Sequence, residues 1–452
     1  MVYATARIIM AIITIICAVL IAGCQQMAQP FIDSGKASIN AKNYDQAIVD
    51  YSRAIAIDAG SAVAYVGRGR TYNYLEKYDQ AIADFNKAIE LDPKLASAYY
   101  LRAYSNWGKE LWDSAIADYT KAIEVKPDRA DSYAGRGSLY ERKNDYEKAI
   151  ADYSKAIELY NIWPGYYRGR GWCYKETKQY EKALADFGRA IELDSKDTRT
   201  FANRGLCYTD MKQYEKALAD FNQAIELDGS NAQNYMCRAY CLTEMKRYDD
   251  AIADYITARQ MNQVNMESVI GGLGLCYELK KDYASAIAVC TEAIQNNPQS
   301  SAAYNGRGYI YVLSGDYEKA LPDITRAFEL TTDNTSIWAY LDTRGWYYYK
   351  TGDIEKALVD LNKSLELHPD NVVYSHRAQA YSSIKEYDKA IADLNKSIEL
   401  KGEYAEAYFY RGLCYKALGE ADKAIADLQA AANLSDDAAI KKQAMDEIQS
   451  LR

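Results

Sequence analysis

The segment YDQAIADFNKAIEL, residues 78–91, decides the fold of this chain. Its alanines and large apolar residues recur at steps of three and four, which is one stripe of an amphipathic helix. Close copies of it start, about every 34 residues, at Tyr44, Tyr78, Trp112, Tyr146, Tyr180, Tyr214, Tyr248, Tyr283, Tyr317, Ile354, Tyr387 and Ala421. A fixed period of this length predicts a solenoid, because one repeat cannot bury its apolar face without a neighbour.

A second helix precedes each of these segments. Upstream of residue 78, Tyr65, Arg68, Gly69 and Tyr72 keep the helical periodicity, and the polar residues after them end the run. Each repeat is therefore predicted to be a hairpin of helix A followed by helix B. Proline, which cannot continue a helix, closes several repeats at Pro93, Pro127, Pro298 and Pro369.

These residues resemble the tetratricopeptide repeat family. The family pattern of an aromatic residue, Gly, Tyr, Ala, Phe, Ala and Pro is matched by Tyr65, Gly69, Tyr72, Ala81, Phe85, Ala88 and Pro93. The resemblance covers about nine tenths of the chain and implies an all-α fold, a right-handed α-solenoid of about twelve helical hairpins with a C-terminal capping helix. In the family register, which is used below, Gly69 is position 8.

Four segments are expected along the chain. Residues 1–23 are predicted to be a signal peptide that is removed, and residues 24–27 a lipidated N-terminus with a short tether. Residues 28–434 form the tandem repeats. Residues 435–452 break the pattern and are predicted to be a solvating cap, with Ser435 as the candidate N-cap of its helix.

The start of the chain resembles the lipobox of bacterial lipoproteins. Arg7 precedes an apolar run that is short for a membrane span and ends in Ile21-Ala22-Gly23-Cys24. The resemblance implies that Cys24 is lipidated, which anchors the protein in the bacterial envelope facing the periplasm; Gln25 favours the outer membrane. The alternative is a retained membrane anchor with an incidental cysteine.

Composition and motifs argue against several kinds of function. A net charge of -9 disfavours nucleic acid and anionic membrane surfaces as partners, since these attract basic patches. The cysteines after Cys24 are interpreted as small core residues, and only His368 and His376 could add nitrogen ligands, so no metal or cofactor is expected. Gly169-Arg170-Gly171 lies inside a helix A rather than at a strand-to-helix turn. We therefore expect no enzymatic activity.

A repeated pair of opposite charges is predicted to be structural. Position 7 is Arg and position 23 is Asp in most repeats, as in Arg68 with Asp84 and Arg204 with Asp220. The two positions are equally far from the turn of the hairpin, so they should face each other. Repeat eight has Leu273 and Val289 there, so both charges disappear together. The alternative is a row of arginines that binds phosphate or an acidic ligand.

Aromatic residues outside the core positions suggest a binding surface. Tyrosine accounts for 43 of 452 residues. The family resemblance places helix A positions 2, 5, 6, 9, 12 and 13 on a concave groove. The predicted groove residues are Tyr100, Tyr104, Trp107, Trp172, Tyr240, Asn305, Tyr309, Trp346 and Tyr349. Aromatic side chains are preferred anchors at interfaces, so the expected function is a non-catalytic scaffold that binds segments of envelope proteins. Two alternatives remain: these aromatics pack between helices, or they bind a glycan such as peptidoglycan.

Overall fold

The computed structural model of the protein describes residues 2–261, 266–331, 335–435 and 437–452, with the side chains of residues 2–9, 11–21, 266 and 267 excepted. These described residues form 25 α-helices and no strand. The helices are α1 (Val2–Asn40), α2 (Tyr44–Ile57), α3 (Ala62–Tyr74), α4 (Tyr78–Leu91), α5 (Ala96–Gly108), α6 (Trp112–Val125), α7 (Ala130–Arg142), α8 (Tyr146–Leu159), α9 (Pro164–Glu176), α10 (Tyr180–Leu193), α11 (Thr198–Asp210), α12 (Tyr214–Leu227), α13 (Ala232–Glu244), α14 (Tyr248–Met261), α15 (Met266–Leu279), α16 (Tyr283–Asn296), α17 (Ser301–Ser314), α18 (Tyr317–Leu330), α19 (Ile337–Thr351), α20 (Ile354–Leu367), α21 (Asn371–Ser383), α22 (Tyr387–Leu400), α23 (Ala405–Ala417), α24 (Ala421–Leu434) and α25 (Ala438–Ser450).

The chain divides into two compact units, Met1–Gly229 and Ser230–Arg452, called unit 1 and unit 2. Within unit 1, α1 to α12 pack as six successive hairpins, each odd-numbered helix against the next even-numbered one. Within unit 2, α13 to α24 form six further hairpins, and α25 packs on α24 and α23. The prediction of an all-α repeat fold with a terminal helix is confirmed.

The turn of each hairpin has one residue in the left-handed backbone region. In most hairpins this residue is not glycine, as at Lys212, where φ is 57°. Backbone hydrogen bonds stabilise the reversal of chain direction. The Lys212 N–H donates to the Thr209 carbonyl at 2.9 Å, and the Gln213 N–H donates to the Tyr208 carbonyl at 2.8 Å. These bonds satisfy carbonyl groups that the end of helix A leaves without helical partners.

Large side chains at position 24 of helix B fill the space between repeats. Tyr51, which is 1% exposed, packs against Gly35 of its own helix A and Gly67 of the next one. A Cβ atom at Gly35 would stand 2.8 Å from the Tyr51 ring, and one at Gly67 would stand closer still. The close approach of ring and backbone therefore requires glycine at both positions.

The predicted Arg–Asp pairs are present within the hairpins. Arg68 donates to both carboxylate oxygens of Asp84 at 2.8 and 2.7 Å, and its third nitrogen reaches Ser52 of the preceding repeat at 3.1 Å. Arg204 makes the same two-pronged contact with Asp220, at 2.8 and 2.7 Å. The Asp side chains are nearly buried, at 7% and 8% exposed. These contacts agree with the structural interpretation of the arginines, in which each pairs with the Asp of its own hairpin.

The start of the C-terminal helix differs from the expectation. The N-cap of α25 is Asp437, whose carboxylate accepts the N–H of Ala439 at 2.9 Å. Ser435 instead ends α24, and its hydroxyl accepts the N–H of Asp437 at 3.1 Å. Asp436, between these two residues, lies outside the described residues. The prediction of Ser435 as N-cap is wrong because Asp437, with a longer acceptor side chain, lies nearer to the first free N–H groups of the helix.

The N-terminal helix α1 contains both the predicted leader and helix A of the first repeat. Most side chains of the leader, including Arg7 and Ile21 of the lipobox prediction, lie outside the described residues. The Cys24 side chain is half-exposed and forms no disulfide. In the part of the chain that the structure describes, no helix has the length and apolar content that a membrane crossing needs.

Candidate functional sites on the A helices

A cleft of about 430 Å³ opens between α3 and α5 in unit 1. Three of its tyrosines, Tyr74, Tyr100 and Tyr104, come from these two A helices. Tyr74 is 53% exposed and Tyr104 is 43% exposed. The remaining lining residues of this cleft, here called the tyrosine cleft, are Arg70, Asn73, Glu76, Tyr78 and Leu101. Large aromatic surfaces that water can reach at one site are suited to contact with another molecule.

The spacing of α3 and α5 at this cleft is fixed by an asparagine. The Asn73 side-chain amide donates to the Leu101 carbonyl at 3.2 Å, and its oxygen accepts the Ser105 hydroxyl at 2.7 Å. Asn73 and Ser105 are both buried. Buried polar groups whose hydrogen bonds are made favour a single arrangement of the two helices that they join. The cleft is therefore a preformed feature of unit 1.

The other predicted aromatics near this cleft contribute less open surface. The Arg129 guanidinium lies 3.8 Å from the centre of the Tyr100 ring and covers one face of it. Burial raises the pKa of the Tyr100 hydroxyl. Trp107 is half-buried and meets the Tyr104 ring edge-on, with 6.2 Å between ring centres. Tyr104 is thus the most accessible of these three predicted residues.

Trp172 lies in a second cleft of unit 1, of about 380 Å³, with Arg168, Arg199 and Asn203. The Lys175 ammonium lies 4.8 Å from the centre of the Trp172 ring. This cleft is more polar than the tyrosine cleft. Two further lining residues are bonded to each other, since Glu141 accepts the Tyr153 hydroxyl at 2.8 Å, and burial raises the pKa of the Glu141 carboxyl.

In unit 2 the predicted residues have unequal surroundings. Tyr240 on α13 is 42% exposed. Asn305 and Tyr309 on α17 are half-buried, and the Asn305 side-chain oxygen is buried without a hydrogen-bond partner among the described residues. Tyr309 borders a cavity of about 240 Å³, and burial raises the pKa of its hydroxyl well above the ordinary value.

Trp346, predicted as a groove residue, is instead a packing residue, in line with the alternative that these aromatics pack between helices. Its side chain is 6% exposed, because the ring stacks on His376 with 4.0 Å between ring centres and on Tyr349 at 5.0 Å. His376 is in turn held by Asp342, with 2.8 Å between the imidazole Nδ1 and a carboxylate oxygen. Tyr349 remains half-buried beside this stack, where burial raises the pKa of its hydroxyl.

The 240 Å³ cavity of unit 2 includes a residue that the sequence analysis missed. Glu278 of α15 lines it opposite Tyr309 of α17. Burial raises the pKa of the Glu278 carboxyl to about 7, with a further contribution from the negative charge of Glu406. Glu406, on α23, accepts the Tyr404 hydroxyl at 2.7 Å. A carboxyl that titrates near neutral pH beside an apolar cavity is a feature of functional sites.

No cluster of three or more His, Cys, Asp or Glu side chains that could hold a metal occurs among the described residues. The cysteines whose side chains the structure describes are free thiols. Burial raises the pKa of the Cys173 and Cys207 thiols, which disfavours the reactive thiolate form.

Three solved structures show how far the similarity to known proteins extends. YrrB, a TPR protein with an unusual peptide-binding site, is 23% identical over 41% of this chain and 95% of that chain, with a TM-score of 0.37. The APC/C hetero-tetramer Cut9-Hcn1 matches 95% of this chain and 98% of that chain at 14% identity and a TM-score of 0.46. The pilF protein of Pseudomonas aeruginosa is 19% identical over 46% of this chain and 94% of that chain, with a TM-score of 0.40. No curated protein matches the chain.

Family models described as tetratricopeptide repeat match most of the chain. The matched residues are 62–95, 96–129, 130–160, 166–197, 198–231, 242–301, 289–321, 338–371, 373–404 and 406–436. Most of these ranges begin near the start of an A helix, whereas 242–301 and 289–321 begin within helices and overlap each other. The chain belongs to the tetratricopeptide repeat family, whose members are protein-interaction scaffolds.

Proposed function

We propose that this protein is a lipid-anchored, non-catalytic scaffold of the bacterial envelope that binds segments of partner proteins on its A helices. The tyrosine cleft carries the binding part of this proposal. It presents the exposed rings of Tyr74 and Tyr104 on two adjacent A helices that Asn73 holds at a fixed spacing. Rigid, amphipathic rings on a preformed surface are preferred anchors, because little conformational freedom is lost when they are buried.

The chemistry of the tyrosine cleft favours a protein segment over a strongly charged ligand. Arg70 and Glu76 bring opposite charges to its lining, and the other lining residues are tyrosines, an asparagine and a leucine. A segment with apolar side chains can bury the rings while its backbone bonds to the tyrosine hydroxyls. Polar contacts of that kind fix the orientation of a ligand, and the rings supply most of the buried area.

Site-specific photo-crosslinking in the native host tests this binding surface. A photoreactive phenylalanine at Tyr104 should cross-link to one or a few defined proteins, because the ring lies in the cleft. The matched control is the same substitution at Tyr160, which is 48% exposed but ends α8 outside the cleft.

Mass spectrometry of the cross-link then supplies the partner segment for binding measurements. The change Tyr104→Ala should weaken binding of the synthetic segment about tenfold or more, and Tyr160→Ala should not. The proposal is overturned if both positions cross-link to the same proteins, or if Tyr104 cross-links only to peptidoglycan.

The anchoring part of the proposal rests on the lipobox-like sequence Ile21-Ala22-Gly23-Cys24. Several acyl chains make an anchor stable where a single chain gives only marginal membrane binding. The variant Cys24→Ser should therefore leave the membrane fraction and lack acyl chains by mass spectrometry, whereas Cys290→Ser should remain membrane-bound. An unmodified Met1 on the protein purified from its native host would contradict lipid anchoring.

A further inference from the structure

Repeat eight lacks the large side chain that elsewhere fills position 24. In the other repeats this position is aromatic or a large aliphatic residue, and in repeat eight it is Cys290. The residues at position 24, in order along the chain, are Tyr51, Phe85, Tyr119, Tyr153, Phe187, Phe221, Tyr255, Cys290, Ile324, Leu361, Leu394 and Leu428. Cys290 is therefore much the smallest member of this set.

The glycines that would receive the missing ring are still present. Gly274 is equivalent to Gly69, which contacts the Phe85 ring in repeat two. Nothing lies within 4 Å of a Cβ placed on Gly274. Gly306 is equivalent to Gly67, which contacts the Tyr51 ring of the preceding repeat. The nearest atom to a Cβ placed on Gly306 is the Cys290 sulfur, at 3.6 Å. The backbone of repeats eight and nine thus retains room for a ring that this chain does not supply.

The resulting space is the 240 Å³ cavity of unit 2, here called the Cys290 pocket. Cys290, Gly274 and Gly306 all line it, and its other residues are mainly apolar. An apolar cavity of about 150 Å³ in another protein binds benzene. The Cys290 pocket therefore has enough volume for a substituted phenyl ring.

A carboxyl group without an ion-pair partner lines this pocket. Glu278 lines it, and Glu278 forms no ion pair with any described residue. Lys281 pairs with Asp437 at 2.6 Å, and Lys350, whose charge interacts with Glu406, has its ammonium 4.3 Å from the Trp346 ring centre. The neighbouring Glu406 adds a second negative charge. An apolar space next to two acidic side chains is complementary to an apolar group that carries a cation.

We propose that the Cys290 pocket receives an aromatic side chain of a partner protein segment that binds at unit 2, with an adjacent lysine or arginine of that segment paired to Glu278. This inference rests on the proposed function and specifies which residues the partner must supply. The ring would occupy the volume that Tyr or Phe fills in repeats one to seven. Specificity would then come from the one repeat that departs most from the common pattern.

Small probes test the pocket without knowledge of the partner. Phenethylamine carries a ring and an ammonium, and 3-phenylpropionate carries a similar ring and a carboxylate. Calorimetric titration of the protein should detect phenethylamine and show binding of 3-phenylpropionate that is at least tenfold weaker. The blocked tetrapeptide Gly-Phe-Lys-Gly should bind, and its analogue with Ala in place of Phe should not.

Substitutions at Cys290 provide matched variants for the same titration. Cys290→Tyr restores the residue of repeats one, three, four and seven and should fill the pocket, weakening phenethylamine and the tetrapeptide at least tenfold. Cys290→Ala keeps the pocket open and should bind both probes as the natural chain does. Cys290→Leu, the residue type of repeats ten to twelve, is a second filling variant if the tyrosine variant does not fold. Glu278→Gln should remove the preference for phenethylamine over 3-phenylpropionate.

The outcomes separate this inference from the proposed function. Unchanged binding of both probes by the filling variants overturns the pocket, as does equal binding of the two small probes by the natural chain. Probe binding that the filling variants weaken supports the pocket even if cross-linking at Tyr104 fails, and that failure then refutes only the tyrosine cleft. Binding of phenethylamine without binding of the tetrapeptide shows a small-amine site and refutes the assignment to a protein segment.

Discussion

Removing one member of the Arg204–Asp220 pair should cost more stability than removing both. Arg204 holds the carboxylate by two bonds, at 2.8 and 2.7 Å, and the Asp220 side chain is only 8% exposed. Arg204→Leu would leave that carboxylate nearly buried without its cation, which costs about 3 kcal/mol when the partial exposure of the arginine is allowed for. Adding Asp220→Val reproduces the apolar pair Leu273 and Val289 of repeat eight, and the total loss should fall to about 1 kcal/mol.

This pair suits a double-mutant cycle because it has few other contacts. The preceding repeat has Gly188 where the repeat before Arg68 has Ser52, so Arg204 lacks the third bond that Arg68 makes. Repeat proteins need not unfold in one step, so hydrogen exchange in α11 and α12 should be measured together with urea unfolding. The exposed Arg189, varied to Leu, is the control, with an expected change below about 0.5 kcal/mol. Additive losses from the two single changes would refute the coupling.

Three further perturbations test packing, charge and backbone geometry. Trp346→Ala should cost about 3 to 5 kcal/mol in thermal unfolding, because the ring is buried, whereas Tyr104→Ala should cost less than about 1 kcal/mol. The Glu278 carboxyl has a pKa raised from 4.5 to about 7 by burial and by Glu406. The folded state therefore binds this proton more tightly than the unfolded state, and stability is lost as pH rises from about 4.5 to 7. Glu278→Gln should consequently stabilise by on the order of 2 kcal/mol at pH 8 and by little at pH 4, measured by urea midpoints. Gly315→Ala should lower stability by about 1 kcal/mol, seen in thermal unfolding, because the residue has φ of 80°.

The repeat pattern was sufficient to predict the helices but not the backbone conformation of the turns between them. The segment 78–91 coincides with α4, because its apolar stripe and its boundaries are both local signals. The left-handed turn at Lys212 was not predicted, since lysine does not favour that conformation by itself. It is held by the two helices that the turn joins. Tertiary packing therefore determines the turns, and local preference determines the helices.

Contacts could be predicted from the sequence only where two positions change together from one repeat to another. The joint loss of charge at Leu273 and Val289 identified the Arg–Asp pairs before any distance was known. Helical spacing could not distinguish Trp346 from an exposed residue, because its burial comes from stacking on His376 of the next A helix. The Cys290 pocket was not predicted, because a small residue at a core position is normally interpreted as ordinary packing. Only the structure shows that Gly274 and Gly306 line the same space and leave it open.

Repeat eight combines two departures that differ in energetic cost. Replacing an ion pair by Leu273 and Val289 is nearly neutral, because both side chains are buried and no charge is left without a partner. Replacing a ring by Cys290 is not neutral, since an unfilled apolar volume loses packing contacts that large residues supply in the other repeats. Natural proteins retain destabilising features mainly at functional sites. A substitution that fills the space should therefore raise the stability of the fold and weaken binding. On this argument Cys290→Tyr should melt at a higher temperature than the natural chain and bind phenethylamine less tightly, a combination that simple damage to the fold does not produce.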